Sequence, residues 1–159
     1  MEPSHGWEPP LDLVRFLESG PPPVYIGFGS MVNRQPEEVA DLVLEALERS
    51  GQRAVVSVGW GGMKARELPE TVCMIGSLPH SWLFPRMAAV VHHGGVGTTA
   101  AGLRAGVPAI VTPFFGDQPF WGRRIAELGV GPNPIPRAKL TSERLAVAIQ
   151  QAVTDKGMR

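Results

Sequence analysis

Short apolar runs, each closed by a turn rich in glycine or proline and most followed by a helical pattern, recur along the whole of this sequence. They fall at 24–28, 54–58, 72–75, 88–92 and 108–112, with a last short one at 130–135. Runs of this length, continuously apolar and alternating with helices, are expected of strands buried on both faces of a mostly parallel sheet. Between them, Leu11, Val14, Phe16 and Leu17 make a short amphipathic helix that Gly20 and the three prolines at 21–23 stop. Pro36, Glu37 and Glu38 open a longer helix, with proline in its first turn and acids at the positive end of its dipole. Its apolar face is Val39, Leu42, Val43, Ala46 and Leu47, and Gly51 ends it. Further helices are expected around 82–84, from the glycine–threonine stretch at 94–99 through Ala105, and over 119–128. Thr141 is expected to cap the last one, which sets Leu145, Ala148, Ile149, Ala152 and Val153 on one face. With right-handed crossovers, the order predicts an α/β fold: a doubly wound, Rossmann-like parallel sheet with helices on both faces. Residues 1–9 read as an irregular lead-in and 10–159 as one domain.

Composition narrows the chemistry. Fifteen Lys+Arg balance fifteen Asp+Glu over 159 residues. A chain without basic excess is not expected to bind nucleic acid or to be held electrostatically on an anionic membrane. No apolar run reaches the roughly 20 residues a membrane-spanning helix needs, and the polar first residues are not expected to be a signal peptide. Cys73 is the only cysteine, so no intrachain disulfide or cysteine-based zinc cluster can form. A cytoplasmic location is expected. The 19 glycines and 16 prolines punctuate apolar segments without forming tracts; turns that approach a ligand closely need such residues.

In a doubly wound sheet, ligands bind where loops leave the carboxyl ends of strands at the topological switch point. The loops 29–33, 92–98 and 113–118 qualify. In the second, His92-His93-Gly94-Gly95-Val96-Gly97-Thr98-Thr99 closes a strand and opens a helix. The first helical N–H groups lack intrahelical partners, and with the helix dipole they form an anion site suited to phosphate. A histidine at its edge adds a hydrogen bond or a charge. The plainer alternative is a tight turn with Thr98 or Thr99 as helix cap, and His92 is as readily structural as functional. In the third loop, Phe114-Phe115-Gly116-Asp117-Gln118-Pro119 places a carboxylate beside a carboxamide. That pair can grip vicinal sugar hydroxyls, because the acid accepts while the amide both donates and accepts. Either residue can equally cap the helix that Pro119 begins. Gly29-Ser30 could reach the same phosphates from across the crevice, and Trp82, in the segment 77–82, could line a base pocket or simply pack.

Other chemistries lack their residues. The G-x-G-x-x-G dinucleotide fingerprint, the Walker A sequence and the G-x-S-x-G nucleophile elbow are all missing. The four aspartates never form D-x-D, and the adjacent histidines have no carboxylate or cysteine at ligand spacing, so no metal site is expected.

The stretch from Val90 to Pro108, with Pro113-Phe114-Phe115-Gly116-Asp117-Gln118-Pro119-Phe120-Trp121-Gly122, resembles the donor-binding signature of GT-B UDP-glycosyltransferases. Within that family the chain is most similar to sterol 3-beta-glucosyltransferases and their bacterial relatives. The segments 22–31, 57–62, 79–84 and 129–132 match the same subgroup, so the resemblance covers about 7–155. It implies the C-terminal, donor-binding half of a GT-B fold. His93 and the amides of Gly95, Val96, Gly97 and Thr98 would hold the donor diphosphate, with Ser30 assisting. Asp117 and Gln118 would bind the transferred hexose, and the loop around Leu78 would meet uracil with Trp82 nearby. Plant relatives carry a glutamate for the ribose where this chain has Ala101, whereas the sterol-type subgroup has a small residue there.

The resemblance further implies an inverting, metal-independent transfer of a hexose from a UDP-hexose, with UDP-glucose the expected donor and no cofactor besides it, to a sterol or other lipophilic alcohol reached from a membrane surface. The catalytic base would lie in an N-terminal acceptor domain, so no catalytic residue is expected in this chain, and alone it is expected to be inactive. Two alternatives stay open: a donor-binding subunit of a split two-chain transferase, and a non-catalytic nucleotide-sugar-binding module.

Overall fold

The computed structural model describes residues 7–28, 36–57 and 68–159. Five parallel strands, β1 (Val24–Gly27), β2 (Ala54–Ser57), β3 (Val72–Ile75), β4 (Ala89–His92) and β5 (Ala109–Val111), lie in the order β3-β2-β1-β4-β5. From β1 the chain therefore winds one way through β2 and β3, then returns to the other side of β1 for β4 and β5. The switch point lies between β1 and β4, whose last residues, Gly27 and His92, are paired in register. The helices are α1 (Leu11–Glu18), α2 (Pro36–Ser50), α3 (His80–Leu83), α4 (Val96–Ala105), α5 (Gln118–Glu127) and α6 (Ser142–Thr154).

Both faces of the sheet are covered, as the continuous apolar runs require. Along β1, Val24 and Ile26 face one core while Tyr25 faces the other. The first core joins them to Val56, Val91 and Ile110 beneath Val43, Leu47, Leu145 and Ile149 of α2 and α6. The second sets Val55, Val90 and Val111 against Leu13, Leu83, Phe84 and Ile125. Side chains buried this completely stabilise the fold by about 1.5–3 kcal/mol each, which outweighs the weak propensities of three- and four-residue strands. Thr141 caps α6 as expected, its hydroxyl accepting from the Arg144 N–H at 3.2 Å.

One element departs from expectation. Residues 130–135 do not form a strand. The segment does run beside β5, where the Ala109 N–H donates to the Val130 carbonyl at 3.1 Å and the Ile135 N–H to the Val111 carbonyl at 2.9 Å. Between those two bonds stand Pro132 and Pro134, which have no N–H to extend a ladder. Gly131 is pressed so closely onto the Ala109 carbonyl that a Cβ there would lie 2.0 Å from its oxygen. Elsewhere the differences are at element ends: α5 starts at Gln118, and α3 passes into a 3-10 turn, Phe84–Arg86.

Candidate functional site at the carboxyl edge of the sheet

β4 ends in His92, and the chain turns through His93, Gly94 and Gly95 into α4. Gly95 is the N-cap residue and makes no side-chain cap bond, and the first intrahelical bond is donated by the Thr99 N–H to the Gly95 carbonyl at 3.0 Å. The N–H groups of Val96, Gly97 and Thr98 thus have no carbonyl behind them and sit at the positive end of the helix dipole. Neither threonine caps: Gly95 takes that position, and the Thr99 hydroxyl donates back to the Gly95 carbonyl at 3.0 Å. Val96 and Gly97 are exposed, so the end of the helix is open.

The two histidines have different environments. His92 is fully buried, and its Nδ1 accepts the Gly94 N–H at 3.0 Å. Burial, reinforced by the neighbouring His93 and His80, pushes its pKa down to about 3. It is therefore neutral, with its proton on Nε2, and that atom has no partner among the described residues. His93 is half-buried, over Gly95: a Cβ on Gly95 would lie 2.6 Å from His93 Nε2. Burial lowers the His93 pKa, and the Asp117 carboxylate acts to raise it. Gly94 is the residue the turn cannot replace. Its φ is +93°, and a Cβ would lie 2.7 Å from Val111 Cγ1 and 3.0 Å from the Gln118 carbonyl oxygen. That contact presses the histidine loop onto the start of α5.

At the start of α5 the carboxylate and the carboxamide do different work. Gln118 is 5% exposed, and its Oε1 accepts both the Phe114 N–H at 2.8 Å and the Phe115 N–H at 3.1 Å. Those bonds fix the amide orientation and leave Nε2 as a donor. Asp117 is exposed and stands at the N-cap position, but it makes no cap bond. Its Oδ2 instead accepts the indole N–H of Trp121 at 2.8 Å. The pair presents one free carboxylate oxygen and one amide NH2, complementary to two neighbouring hydroxyls of which one donates and the other accepts. Arg137 stacks its guanidinium 5.1 Å over Phe114, which also packs on Phe28, and so helps hold the loop.

Residues named from the sequence thus converge here from two loops: His93, Gly95, Val96, Gly97 and Thr98 from one, Asp117 and Gln118 from the other. Leu78 is partly buried against the second core. Trp82 is half-buried, with Arg86 4.3 Å over its ring and Trp7 meeting it edge-on at 5.4 Å. A face of its ring is thus taken by a cation of its own chain. Ser30 lies outside the described residues, as do the turns 29–33 and 59–62. Ala101 packs partly into the second core. Sequence reasoning overlooked Trp121, although its place four residues after Asp117 on one helix is the spacing at which side chains meet. No group of three or more His, Cys, Asp or Glu side chains able to hold a metal is found among the described residues.

The doubly wound parallel sheet with this loop arrangement at its switch point has the fold of GT-B glycosyltransferases. The chain belongs to the family described as Erythromycin biosynthesis protein CIII-like, C-terminal domain, which it matches over residues 41–159. It is 50% identical over 151 residues to the sterol 3-beta-glucosyltransferase UGT80A2 of Arabidopsis thaliana, a match covering 94% of this chain and 24% of that protein. It is 44% identical over 155 residues to the O-mycaminosyltylonolide 6-deoxyallosyltransferase of Streptomyces fradiae, covering 96% of this chain and 36% of that one. The chain thus spans about a quarter and about a third of the lengths of these two relatives. Among solved structures, Arabidopsis thaliana UGT89C1 complexed with UDP superposes with a TM-score of 0.77 at 23% identity, over 94% of this chain and 39% of that one. The glycotransferase of kitacinnamycin gives 0.74 at 24% identity, over 99% and 40%. These likenesses establish the shared fold.

Proposed function

We propose that this chain is the UDP-hexose-binding domain of an inverting, metal-independent glycosyltransferase acting on a sterol or other lipophilic alcohol. The observation that carries the reading is the meeting of two loops at the switch point: three unpaired N–H groups of α4 beside His93, and the Asp117–Gln118 pair, brought together where Gly94 packs on the Gln118 backbone. The His93 ring and the α4 amides would take the diphosphate, with Ser30 assisting. As the bond from sugar to diphosphate breaks, negative charge grows on the phosphate oxygens, and donors already aimed at that position stabilise it without reorganising. Such donors stand in for a metal ion. Asp117 and Gln118 would hold hexose hydroxyls, and Leu78 and Trp82 would border uracil.

The choice of a lipophilic acceptor rests on kinship with sterol 3-beta-glucosyltransferases. The acceptor and the base that deprotonates it would belong to an N-terminal domain or subunit, for which the greater length of the relatives leaves room. A cytoplasmic setting, with the acceptor met at a membrane surface, suits a chain with one cysteine and, among the described residues, no helix long and apolar enough to cross a membrane.

Calorimetric titration with UDP and UDP-glucose in the presence of EDTA tests this reading. UDP is expected to bind without metal, and His93→Ala to weaken it by about tenfold, the loss of one hydrogen bond to a charged group. Folded protein with no detectable affinity for UDP would refute the donor site. The chain alone is expected to transfer no sugar to a sterol, and turnover by it would refute the assignment of the base to another domain.

A further inference from the structure

Asp117 and Trp121 form a unit that capping does not explain. The Asp117 carboxylate stands at the N-cap position of α5 and takes no backbone cap bond, whereas its Oδ2 accepts the Trp121 indole N–H at 2.8 Å. Oδ1 has no hydrogen bond among the described residues. The indole is itself constrained. Phe120 meets it edge-on at 5.1 Å. The next residue, Gly122, is pressed against Pro134, where a Cβ would lie 2.8 Å from the proline Cβ, so this turn of α5 is seated on the 132–136 segment. An exposed aspartate would otherwise rotate freely about χ1. A donor fixed on one of its oxygens selects one orientation, and ordering paid for before a ligand arrives is not paid on binding.

We propose that Trp121 is a positioning residue for the donor sugar: its indole N–H holds the Asp117 carboxylate by Oδ2 and leaves Oδ1 as the ready acceptor for a hexose hydroxyl. This rests on the donor-site reading above. It assigns the tryptophan to recognition of the hexose alone, so its removal has to separate the affinity for UDP-hexose from that for UDP. A merely structural role in α5 would move both together.

Two measurements on the 159-residue chain test the proposal. In the ligand-free protein, the indole N–H resonance that vanishes in Trp121→Phe belongs to Trp121, and Asp117→Ala is expected to shift it upfield. In calorimetry, Trp121→Phe is expected to leave the UDP affinity within about twofold of wild type and to lower that for UDP-glucose about three- to tenfold. Adding Trp121→Phe to Asp117→Ala should then cost nothing further, since the two act as one unit. An indole resonance unmoved by Asp117→Ala, additive losses, or equal effects on both ligands would overturn the proposal. Absence of UDP binding by wild type would instead overturn the donor reading on which it rests, with the resonance experiment still reporting on the tether.

Discussion

The Gly94 N–H donates to His92 Nδ1 at 3.0 Å, and this bond fixes the tautomer of a histidine that has no contact with solvent. The same bond shapes the turn that carries His93. The unfolded chain takes up a proton on His92 near pH 6.5, while the folded chain resists until about pH 3. The stability that comes from burying a neutral ring is therefore complete above pH 6.5 and falls as pH drops toward 3, at about 1.4 kcal/mol per pH unit. The burial that lowers His80 and His93 acts in the same direction. Urea unfolding at pH 7 and pH 4.5 should show His92→Asn, which keeps an acceptor for Gly94, losing about 2–3 kcal/mol less than wild type over that interval. Equal losses would mean that His92 is not the buried neutral group.

Adjacent glycines in this loop should fail in different ways. Gly94→Ala meets both a positive φ and two close neighbours in β5 and α5, and should destabilise the protein by about 1–3 kcal/mol or more. Gly95→Ala meets only the tip of the His93 ring, which can swing aside, so stability should change by less than about 1 kcal/mol. UDP affinity should nonetheless fall about as far as in His93→Ala. Thermal unfolding and calorimetry on the two variants separate these outcomes.

Gln118 serves both the fold and the site. Gln118→Ala strands the Phe114 and Phe115 N–H groups and should cost about 1–3 kcal/mol in chemical denaturation. Gln118→Glu keeps an acceptor for those two groups but replaces the amide donor. It should spare more of the stability while bringing the affinity for UDP-glucose down to that for UDP.

The sheet, its covering helices and the two site loops were legible because burial on both faces writes continuous apolar runs, and close turns write glycines. The 130–135 segment was misread for a related reason. Val130 and Ile135 are apolar and do bond to β5, yet the decisive fact is the missing N–H at Pro132 and Pro134. The roles within Asp117-Gln118 were illegible too, since the sequence cannot say that the Asp117 carboxylate accepts from an indole while the Gln118 carboxamide oxygen accepts from two backbone amides. Gly131→Ala tests the corrected segment. With the Ala109 carbonyl in the way, it should destabilise the chain by about 1–3 kcal/mol in thermal unfolding.

The proposed donor site places the diphosphate at the open end of α4. Titrating UDP into isotopically labelled protein in EDTA, with backbone amide resonances followed, tests it most directly. The largest shifts are predicted at Gly95, Val96, Gly97 and Thr98, with the His93 ring moving in step. Saturable binding whose largest shifts fall elsewhere, with these four amides still, would contradict it.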